Sequence, residues 1–474
     1  MNYDVTIGIE IHLELKTKTK MFSGAPCTFN KQSNTSCNEI DLGFPGVLPS
    51  VNIEAVKKAL QVCFALELDI EPLIRFDRKN YYYSDLPKGY QITQQFHPIG
   101  TNGFLEIHDL GETKKIGIER IHMEEDTAKQ FHLKEDTLID FNRAGTPLIE
   151  VVSKPDLSNS NQVRSYLETL RRIFVYLDIS DAKMEEGSMR CDINISLKPK
   201  GSSTLGKKVE IKNLNSISNA EKAIQFEILR QSQLLDNNEL VNQETRRYDE
   251  KLKETVSMRK KEGSVDYKYF PEPNILPIQL DKDWINNIKD KLPALPQHYY
   301  NIYINEYNLN ETEANYLLDN RDVSKYFIET LNTCSNVKNV YNFITSELIG
   351  RLSKNNINIS NTLLTPLNLG ELINFIIDGT ISNKQAKVLL DEMLEGAKAK
   401  DLIESKNLKQ DSNIDQILEI VKEVLQENPQ SIIDYKNGKD RALGFLVGQI
   451  MKKSKGQANP AITSKLVKEE LDKA

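Results

Sequence analysis

Alternating carboxylate and imidazole side chains within short apolar segments are the groups of this sequence best suited to chemistry. In the segment Val5–Leu15, the residues Glu10, His12 and Glu14 alternate with aliphatic residues. This period of two is typical of a β-strand, so the polar side chains would share one face and the aliphatic side chains the other. A solvated sheet face gives the same pattern, and this segment alone leaves both interpretations open.

Three further segments show a similar alternation and strengthen the chemical interpretation. Their polar positions are His122 and Glu124, followed by Glu125 and Asp126; Arg190, Asp192 and Asn194; and Glu210 and Lys212. The alternation also places Ile118 on the face of His122 and Glu124. Four such strands could converge on a hard cation such as Mg²⁺, which takes a few carboxylates together with water and substrate phosphate. Zn²⁺ would need more nitrogen or sulfur ligands than these strands provide.

A glycine-containing loop imitates a phosphate-binding motif without fulfilling it. The segment GSSTLGKK at 201–208 fits GxxxxGK, but Lys208 stands where the motif requires Ser or Thr. Strand-like residues flank the loop on both sides, whereas a phosphate-binding loop leads into a helix. We therefore interpret it as a hairpin loop, and any phosphoryl transfer by this protein would proceed without a P-loop.

Two segments mix aromatic and basic residues, at 76–91 (FDRKNYYYSDLPKGYQ) and 266–271 (DYKYFP). Such mixtures suit stacking on bases and pairing with phosphates, although a tyrosine-rich edge strand and loop would look the same. No nucleophile elbow and no recognisable Cys/His pair is present in the sequence, so the chain shows no sign of an amidase or hydrolase triad of its own.

Composition limits the class of protein. The chain has 474 residues, a formal net charge of −7 and an ordinary balance of apolar and charged residues. Acidic residues interrupt its N-terminal apolar segment, which excludes a signal or transit peptide, and no segment resembles a membrane span. The five cysteines are scattered and contain no CxxC pair, which indicates neither a disulfide framework nor a four-thiolate zinc site. We expect a cytoplasmic protein without membrane association.

The pattern along the chain predicts an α+β fold in three parts. Residues 1–292 would form a cradle domain on an antiparallel sheet, interrupted by helices at 53–66, 159–177 and 219–236. Residues 293–405 would form a helical domain, in which Gly379–Asn383 predicts a helix end followed by a new N-cap. Residues 406–474 would form a small helical tail, locally basic, that could follow a nucleic-acid backbone, although a solvated helix surface explains the charges equally well.

Long motifs in order resemble one known family. They are IGIEIHLEL, DLGFPGVLPSVN, FDRKNYYYSDLPKGYQI, RIHMEEDTAK, DFNRAGTPLIEVVSKPD, MEEGSMRCDINIS, VEIKNLNS, QETRRYDE and DYKYFPEPN. From about residue 3 to 280, the sequence closely resembles the B subunits of bacterial and organellar aspartyl/glutamyl-tRNA amidotransferases, the GatCAB complexes. The remainder is similar to the helical and tail domains of that family.

The resemblance implies a reaction and its partners. ATP would activate the side-chain carboxylate of Glu-tRNA(Gln), Asp-tRNA(Asn) or both, and ammonia would displace the phosphate to give the amide. An amidase A subunit would release the ammonia from glutamine and pass it through a tunnel, and a small C subunit would help hold the heterotrimer together. ATP and Mg²⁺ are the implied cofactors, and the tail would contact the tRNA body.

The resemblance also implies roles for individual residues. The implied metal ligands are Glu10, His12, Glu124, Glu125, Asp192 and Glu210. The implied nucleotide-binding residues are Glu125, Asp192, Arg190 and Glu210, and the implied catalytic residues are Glu10, His12, Glu124, Glu125, Arg190 and Lys212. Arg190 and Lys212 would face phosphate charge. Because Glu125 breaks the alternation with Glu124, both can face one pocket only if the strand bends, bulges or ends there.

One departure and two alternatives complete the interpretation. Some family members bind zinc through two pairs of cysteines, but the corresponding segment here contains only Cys27 and Cys37, so we expect no zinc. One alternative is a noncatalytic tRNA-binding scaffold, and the complete Glu10, His12, Glu124 and Glu125 set argues against it. The other is an unrelated metallohydrolase, which would act without tRNA or ATP.

Overall fold

The computed structural model describes residues 2–28, 31–109, 111–260, 266–409, 414–436, 439, 441–454 and 458–473. The chain divides into two compact units, Met1–Tyr299 and Tyr300–Ala474. The first contains a large sheet and the second is helical, so the α+β class predicted from the sequence is confirmed. Among the described residues, no helix combines the length and the apolar character that crossing a membrane would need.

The first unit contains sixteen strands and four complete helices in its described residues. In chain order they are β1 Tyr3–Glu14, α1 Ile53–Ala65, β2 Asp69–Ile70, β3 Leu73–Ile74, β4 Asp77–Asn80, β5 Tyr90–Thr93, β6 Gly100–Asp109, β7 Glu112–Glu125, β8 Lys129–His132, β9 Thr137–Asp140, β10 Pro147–Ser153, α2 Ser160–Tyr176, β11 Met189–Pro199, β12 Val209–Lys212, α3 Ile217–Asp236, β13 Glu244–Asp249, β14 Glu254–Lys260, β15 Phe270–Pro271, β16 Ile278–Gln279 and α4 Lys282–Asp290. A further helix, α5 Pro296–Asn301, contains the boundary between the units.

Nine strands form one sheet in the order β14-β13-β12-β11-β1-β10-β7-β6-β2. Its pairings are antiparallel except that between β12 and β13, which is parallel. β11 and β12 pair antiparallel across the loop at 201–208, so the GxxxxGK segment lies between two strands as expected for a hairpin loop. The strands β8 and β9 form a separate two-stranded hairpin.

The two faces of the central strands differ because their side chains alternate. Ile7, Ile9, Ile11 and Leu13 are at most 1% exposed and belong to a single apolar core with residues of α1, α2 and α3. Asn52, Asn159 and Ser216 cap these three helices through their side-chain oxygens. The helices therefore cover one face of the sheet, and the opposite face carries the polar residues.

A register shift changes the face of one predicted residue. Opposite β10, the pairing passes from Arg120–Val152 to Ile118–Ser153, which leaves Glu119 as an extra residue in β7. Ile118 is consequently buried in the apolar core, whereas His122 and Glu124 lie on the polar face. The prediction that Ile118 shares their face was wrong for this reason.

The regular elements of the second unit are all helical among its described residues. Its α-helices are α6 Glu311–Asp319, α7 Arg321–Leu331, α8 Val337–Asn342, α9 Ile349–Lys354, α10 Pro366–Ile377, α11 Asn383–Leu394, α12 Ala399–Ser405, α13 Ile414–Glu427, α14 Pro429–Lys436, α15 Arg441–Lys453 and α16 Pro460–Lys473. Short π-helical segments at Ile302–Glu306 and Phe343–Leu348 and a 3₁₀ turn at Ile359–Asn361 complete it. Ser382 caps α11 in a capping box with Gln385, which confirms the predicted N-cap.

Candidate active site

A row of polar residues crosses four neighbouring strands of the sheet. His122 of β7 is opposite Glu150 of β10, Glu150 is opposite His12 of β1, and His12 is opposite Arg190 of β11. Directly opposed residues share a face and hold their Cβ atoms about 4.5–5.5 Å apart. The register of the sheet therefore assembles this row from segments far apart in the chain.

The centre of the row is a compact cluster of an imidazole and two carboxylates. The Nε2 atom of His12 lies 3.3 Å from Oε2 of Glu150 and 3.5 Å from Oε1 of Glu124. His122 joins them, with its Nε2 atom 3.2 Å from Oε2 of Glu150. One ligand atom each from His12, Glu124 and Glu150 lie within 4.8 Å of one another. The structure thus brings two of the sequence-predicted residues together with two that were not predicted as ligands.

Mutual electrostatic support shifts the ionisation of this cluster. Burial alone would lower the pKa of His122, but Glu150 and Glu124 outweigh that effect and raise its pKa to about 9. The pKa of His12 is likewise raised against burial by the same carboxylates. In return, the two imidazoles lower the pKa of Glu124 and hold that of Glu150 well below its usual range, although burial opposes both. The carboxylates therefore remain ionised at neutral pH.

A second polar group lies on β11 and β12. The Lys212 ammonium pairs closely with Asp192 and lies 3.3 Å from Oε1 of Glu210. The other carboxylate oxygen of Glu210, Oε2, accepts a 2.8 Å hydrogen bond from the Thr245 hydroxyl. The carboxylates raise the pKa of Lys212 against its burial. The predicted residues Asp192, Glu210 and Lys212 are thus together, but they are separate from the His12 cluster.

Glu10 lies between these two groups. Its Oε1 atom accepts a 2.9 Å hydrogen bond from the Asn194 amide, and it is directly opposite Asp192. Burial raises the pKa of Glu10, and the negative charges of Glu150 and Asp192 raise it further. Glu10 is therefore electrostatically coupled to one carboxylate of each polar group.

Arg190 is fixed by Asp126, which the sequence analysis noted after Glu125 without giving it a role. One of its Nη atoms donates a 2.7 Å hydrogen bond to Oδ2 of Asp126, and Arg143 lies 3.5 Å from the same oxygen. Among the described residues, the buried Nε–H of Arg190 has no hydrogen-bond partner. Asp126 therefore orients the guanidinium while leaving N–H groups available for a bound anion.

Glu125 is placed apart from its neighbour Glu124. The strand stays regular through both residues, so Glu125 points away from the face that carries Glu124. Its Oε1 atom pairs with the Lys88 ammonium and accepts a 3.0 Å hydrogen bond from the Ile92 backbone N–H. The strand ends at Glu125, which is one of the three conditions for a shared pocket, but the Glu125 carboxylate pairs with Lys88 and is not in the group of His12, Glu124 and Glu150.

A cavity of about 1010 Å³ extends from this face of the sheet. His12, Glu14, Arg190, Asp192 and Lys212 line one part of it, and the loop at 213–215 continues that wall. Lys31, Lys129, Phe131 and Arg143 are among the residues that line another part. The volume is at the upper end for small-molecule sites and suits more than one substrate group.

The predicted aromatic and basic segments form a connected layer. The Arg78 guanidinium stacks 3.9 Å from the ring centre of Tyr90 and makes a two-pronged ion pair with buried Glu272. The Lys79 ammonium lies 4.9 Å from the ring centre of Tyr267, whose ring meets that of Tyr81 edge to face. This layer joins β4 to the segment that precedes β15.

Glu150 and His122 are the cluster members that the sequence prediction missed as ligands. Glu150 is a single charged residue within the otherwise apolar and hydroxylic strand PLIEVVS, a pattern that signals a charge held against a buried sheet. His122 was recognised as alternating with Glu124 but was not assigned a role. Their importance depends on cross-strand register, which one strand's sequence does not contain.

The donor set suits a hard divalent cation better than a structural zinc. Two ionised carboxylates and one imidazole converge within a partly buried volume, which matches Mg²⁺ or Mn²⁺ with remaining positions for water and phosphate oxygen. The buried Nδ1 atom of His122 has no hydrogen-bond partner among the described residues. From their convergent ligand atoms, His12, Glu124 and Glu150 are the residues that would hold such an ion, with His12 binding as the neutral imidazole.

Comparison with known proteins agrees with this organisation. Residues 5–286 match the family model described as the GatB/GatE catalytic domain, and residues 325–471 match that described as the GatB domain. Relatives named as the B subunits of aspartyl/glutamyl-tRNA(Asn/Gln) amidotransferases align over 100% of both chains. They include proteins of Oceanobacillus iheyensis (48% identical), Staphylococcus epidermidis (48%) and Lysinibacillus sphaericus (46%). The resemblance inferred from the sequence motifs is confirmed.

Proposed function

This chain belongs to the family of aspartyl/glutamyl-tRNA(Asn/Gln) amidotransferase B subunits, and we propose that its sheet face carries the ATP-dependent step of that reaction. The substrate is Glu-tRNA(Gln), Asp-tRNA(Asn) or both, and the product is the corresponding glutaminyl or asparaginyl ester. The observation that carries the proposal is the cluster of His12, Glu124 and Glu150 inside the domain that matches the catalytic family model.

The chemistry requires activation because a carboxylate is a poor electrophile. A side-chain oxygen of the esterified amino acid attacks the γ-phosphorus of ATP, ADP departs, and an acyl phosphate forms. Ammonia then attacks the acyl carbon, the phosphate departs with the C–O electron pair, and loss of a proton leaves the amide. Each step transfers negative charge among phosphate oxygens, so it needs fixed cations and exclusion of water.

The residues of the chain meet these needs in distinct ways. Arg190, oriented by Asp126, and Lys212, held by Asp192, present positive charge to phosphate oxygens along one wall of the cavity. His12, Glu124 and Glu150 would hold the divalent cation. Mg²⁺, when bound, would neutralise phosphate charge and orient the phosphoryl group for transfer.

The remaining predicted residues have supporting roles in this proposal. Asp192 lines the cavity and holds Lys212, Glu210 supports the same lysine, and Glu10 is opposite Asp192 on the neighbouring strand. Glu125 acts at a distance from the cluster, through its ion pair with Lys88. No zinc is expected at Cys27 and Cys37.

The ammonia must come from elsewhere because the sequence contains no recognisable amidase triad. We propose that an amidase A subunit supplies it through a tunnel and that a small C subunit completes a cytoplasmic heterotrimer. Residues 1–292 would form the catalytic cradle, residues 293–405 a helical domain and residues 406–474 the basic tail that contacts the tRNA body. These boundaries are predictions from the sequence.

Turnover of ATP by the reconstituted three-subunit complex tests the proposal. Glu-tRNA(Gln) and Asp-tRNA(Asn) are added separately, and uncharged tRNA is the control. We expect ADP formation only with a charged tRNA, together with the amidated ester when glutamine is supplied. ATP turnover that ignores the aminoacyl group, or amide formation without ATP, would overturn the proposal.

A further inference from the structure

The hairpin of β8 and β9 forms a wall of the cavity outside the main sheet. It follows β7 after residues 126–128 and precedes β10 by residues 141–146, so it extends beyond the strand ends near Glu124. In the register of the hairpin, Lys129 is opposite Asp140 and Phe131 is opposite Leu138. Because alternate residues of a strand share a face, Lys129 and Phe131 lie on the same face, and both line the cavity.

The base of this hairpin is held in place by one arginine. The Nε and Nη2 atoms of Arg143 donate 2.9 Å hydrogen bonds to the backbone carbonyls of Thr127 and Ala128, respectively. The same guanidinium lies 3.5 Å from Asp126, the carboxylate that orients Arg190. The hairpin is therefore connected structurally to the phosphate-facing part of the site.

Its cavity-facing side chains have the chemistry of a nucleotide-binding pair. Phe131 is 43% exposed although it lines a cavity, and the Lys129 ammonium lies 4.9 Å from its ring centre. An open aromatic face stacks on a base, and an adjacent ammonium pairs with the sugar-phosphate backbone. Lys31 adds another positive charge to the same cavity.

Two adenosine groups take part in the reaction, that of ATP and that at the 3′ end of the tRNA. Two cations are suited to the phosphates of ATP. Arg190 belongs to β11 and Lys212 to β12, and both line the cavity. The hairpin instead continues from β7 and β10, and β10 is three strand positions from β12, roughly 14 Å across the sheet. ATP phosphates held at Lys212 would therefore leave the hairpin side of the cavity to the second adenosine, that of the nucleic acid.

We propose that Phe131 and Lys129 bind the unpaired 3′-terminal nucleotide of the aminoacyl-tRNA, with its base on the ring and its backbone at the ammonium. This inference rests on the proposed function. The two side chains are positioning residues, because they hold the ester while its side-chain carboxylate reaches the His12 cluster. The substrate would thereby be bound at its terminal nucleotide as well as at its reacting carboxylate.

Steady-state kinetics of a Phe131→Leu variant in the three-subunit complex test the subsite. Loss of one stacked base predicts a KM for the charged tRNA that rises roughly fivefold or more, the lower end of the effect of removing an aromatic platform. The KM for ATP and kcat should stay within about twofold, because neither depends on the ring in this account. Leu133→Ala is the matched control, since Leu133 is an exposed apolar residue of the same hairpin outside the cavity lining.

A second variant and a binding measurement give results that would not change if Lys129 and Phe131 only stabilised the hairpin. Lys129→Gln should reduce the slope of log binding constant against log salt by about 0.7, the value for one lost contact with a single-stranded phosphate. A tRNA with 2-aminopurine as its 3′-terminal base should lose fluorescence on binding to the wild-type complex. That quenching should be absent from the complex of the Phe131→Leu variant.

Two results would overturn the subsite. A rise in the KM for ATP with an unchanged KM for tRNA would place the adenine of ATP on Phe131. No change in either KM would show that the Phe131 ring contacts neither substrate. Failure of the proposed function looks different, because the wild-type complex would then show no ATP turnover dependent on charged tRNA. The fluorescence measurement would still report whether the 3′ end meets the hairpin.

Discussion

His12 and Glu150 are directly opposed on β1 and β10, and their Nε2 and Oε2 atoms lie 3.3 Å apart. The two residues are 138 positions apart in the sequence, so only the pairing of these strands brings them together. Glu150 also reaches His122 on its other side. It is the residue on which the geometry of the cluster depends most.

We predict that Glu150→Gln lowers the affinity of the complex for Mn²⁺ on the order of a hundredfold, because it removes one of two ionised ligands. Electron paramagnetic resonance of free Mn²⁺ during titration measures the affinity directly, without reference to turnover. Glu112→Gln, an exposed change on β7, should leave it unchanged. An unaltered Mn²⁺ affinity in a folded Glu150→Gln complex would contradict the assigned ligand set.

We predict that Asp126→Asn raises the KM for ATP about tenfold, the cost of one weakened charge-assisted hydrogen bond to Arg190. The guanidinium would remain but lose its fixed orientation, so the effect should fall on ATP binding more than on the stability of the fold. Steady-state kinetics with saturating charged tRNA measure it, and Asp136→Asn in the turn of the hairpin is the control. A KM for ATP equal to that of the wild type would show that Asp126 does not position Arg190.

We predict a pH dependence of stability that involves His122. Its pKa is raised to about 9 by Glu150 and Glu124, against an unfolded value of about 6.5, so folding favours the protonated ring. This stabilisation is fully present below pH 6.5 and is lost as pH rises through 9. The depressed pKa values of Glu124 and Glu150 contribute stability that is lost as pH falls below about 4.5.

Thermal unfolding in metal-free buffer tests this sign. Between pH 6.5 and 9, the wild-type protein should lose about 1–3 kcal/mol more stability than His122→Gln, which cannot take up the proton. His97→Gln is the control, because His97 lies outside the cluster. Parallel pH profiles of the wild type and His122→Gln would contradict the assigned charge state.

We predict that Glu227→Ala destabilises the first unit by about 3–5 kcal/mol, as expected for breaking a buried ion pair. Glu227 is fully buried and lies 3.0 Å from Nε of Arg246 and 2.8 Å from an Nη atom of Arg230, so its loss would leave the two guanidinium groups to share Glu244. Chemical denaturation measures the change. Lys222→Ala, an exposed substitution on the same helix, should cost less than about 0.5 kcal/mol.

The sequence predicted those features that depend on local pattern. Strict alternation in β1 placed Ile7, Ile9 and Ile11 in the core and His12 on the opposite face, as observed. A serine after a glycine-containing turn predicted the N-cap at Ser382. These signals lie within a few residues and follow directly from strand and helix geometry.

Features that depend on register or on distant partners were not predictable in this way. An extra residue in β7 moved Ile118 to the core, and the only local mark of it is the change in apolar alternation from Ile116 and Ile118 to Ile121 and Met123. Glu125 is placed by the Lys88 ammonium, which is 37 positions away. Glu150 joined the cluster because of its cross-strand neighbours, and its own segment gave only the hint of one charge among apolar residues.

The most direct test of the account is to trap the phosphorylated substrate. The three-subunit complex is mixed with charged tRNA and ATP labelled at the γ-phosphate, with no glutamine or ammonia, and the aminoacyl ester is isolated quickly. We expect label on the amino-acid side chain with the wild-type complex, release of that label as phosphate when ammonia is added, and no label with Glu150→Gln. Amide formation at the normal rate without a labelled ester, or equal labelling by Glu150→Gln, would contradict the assignment of this sheet face as the phosphorylation site.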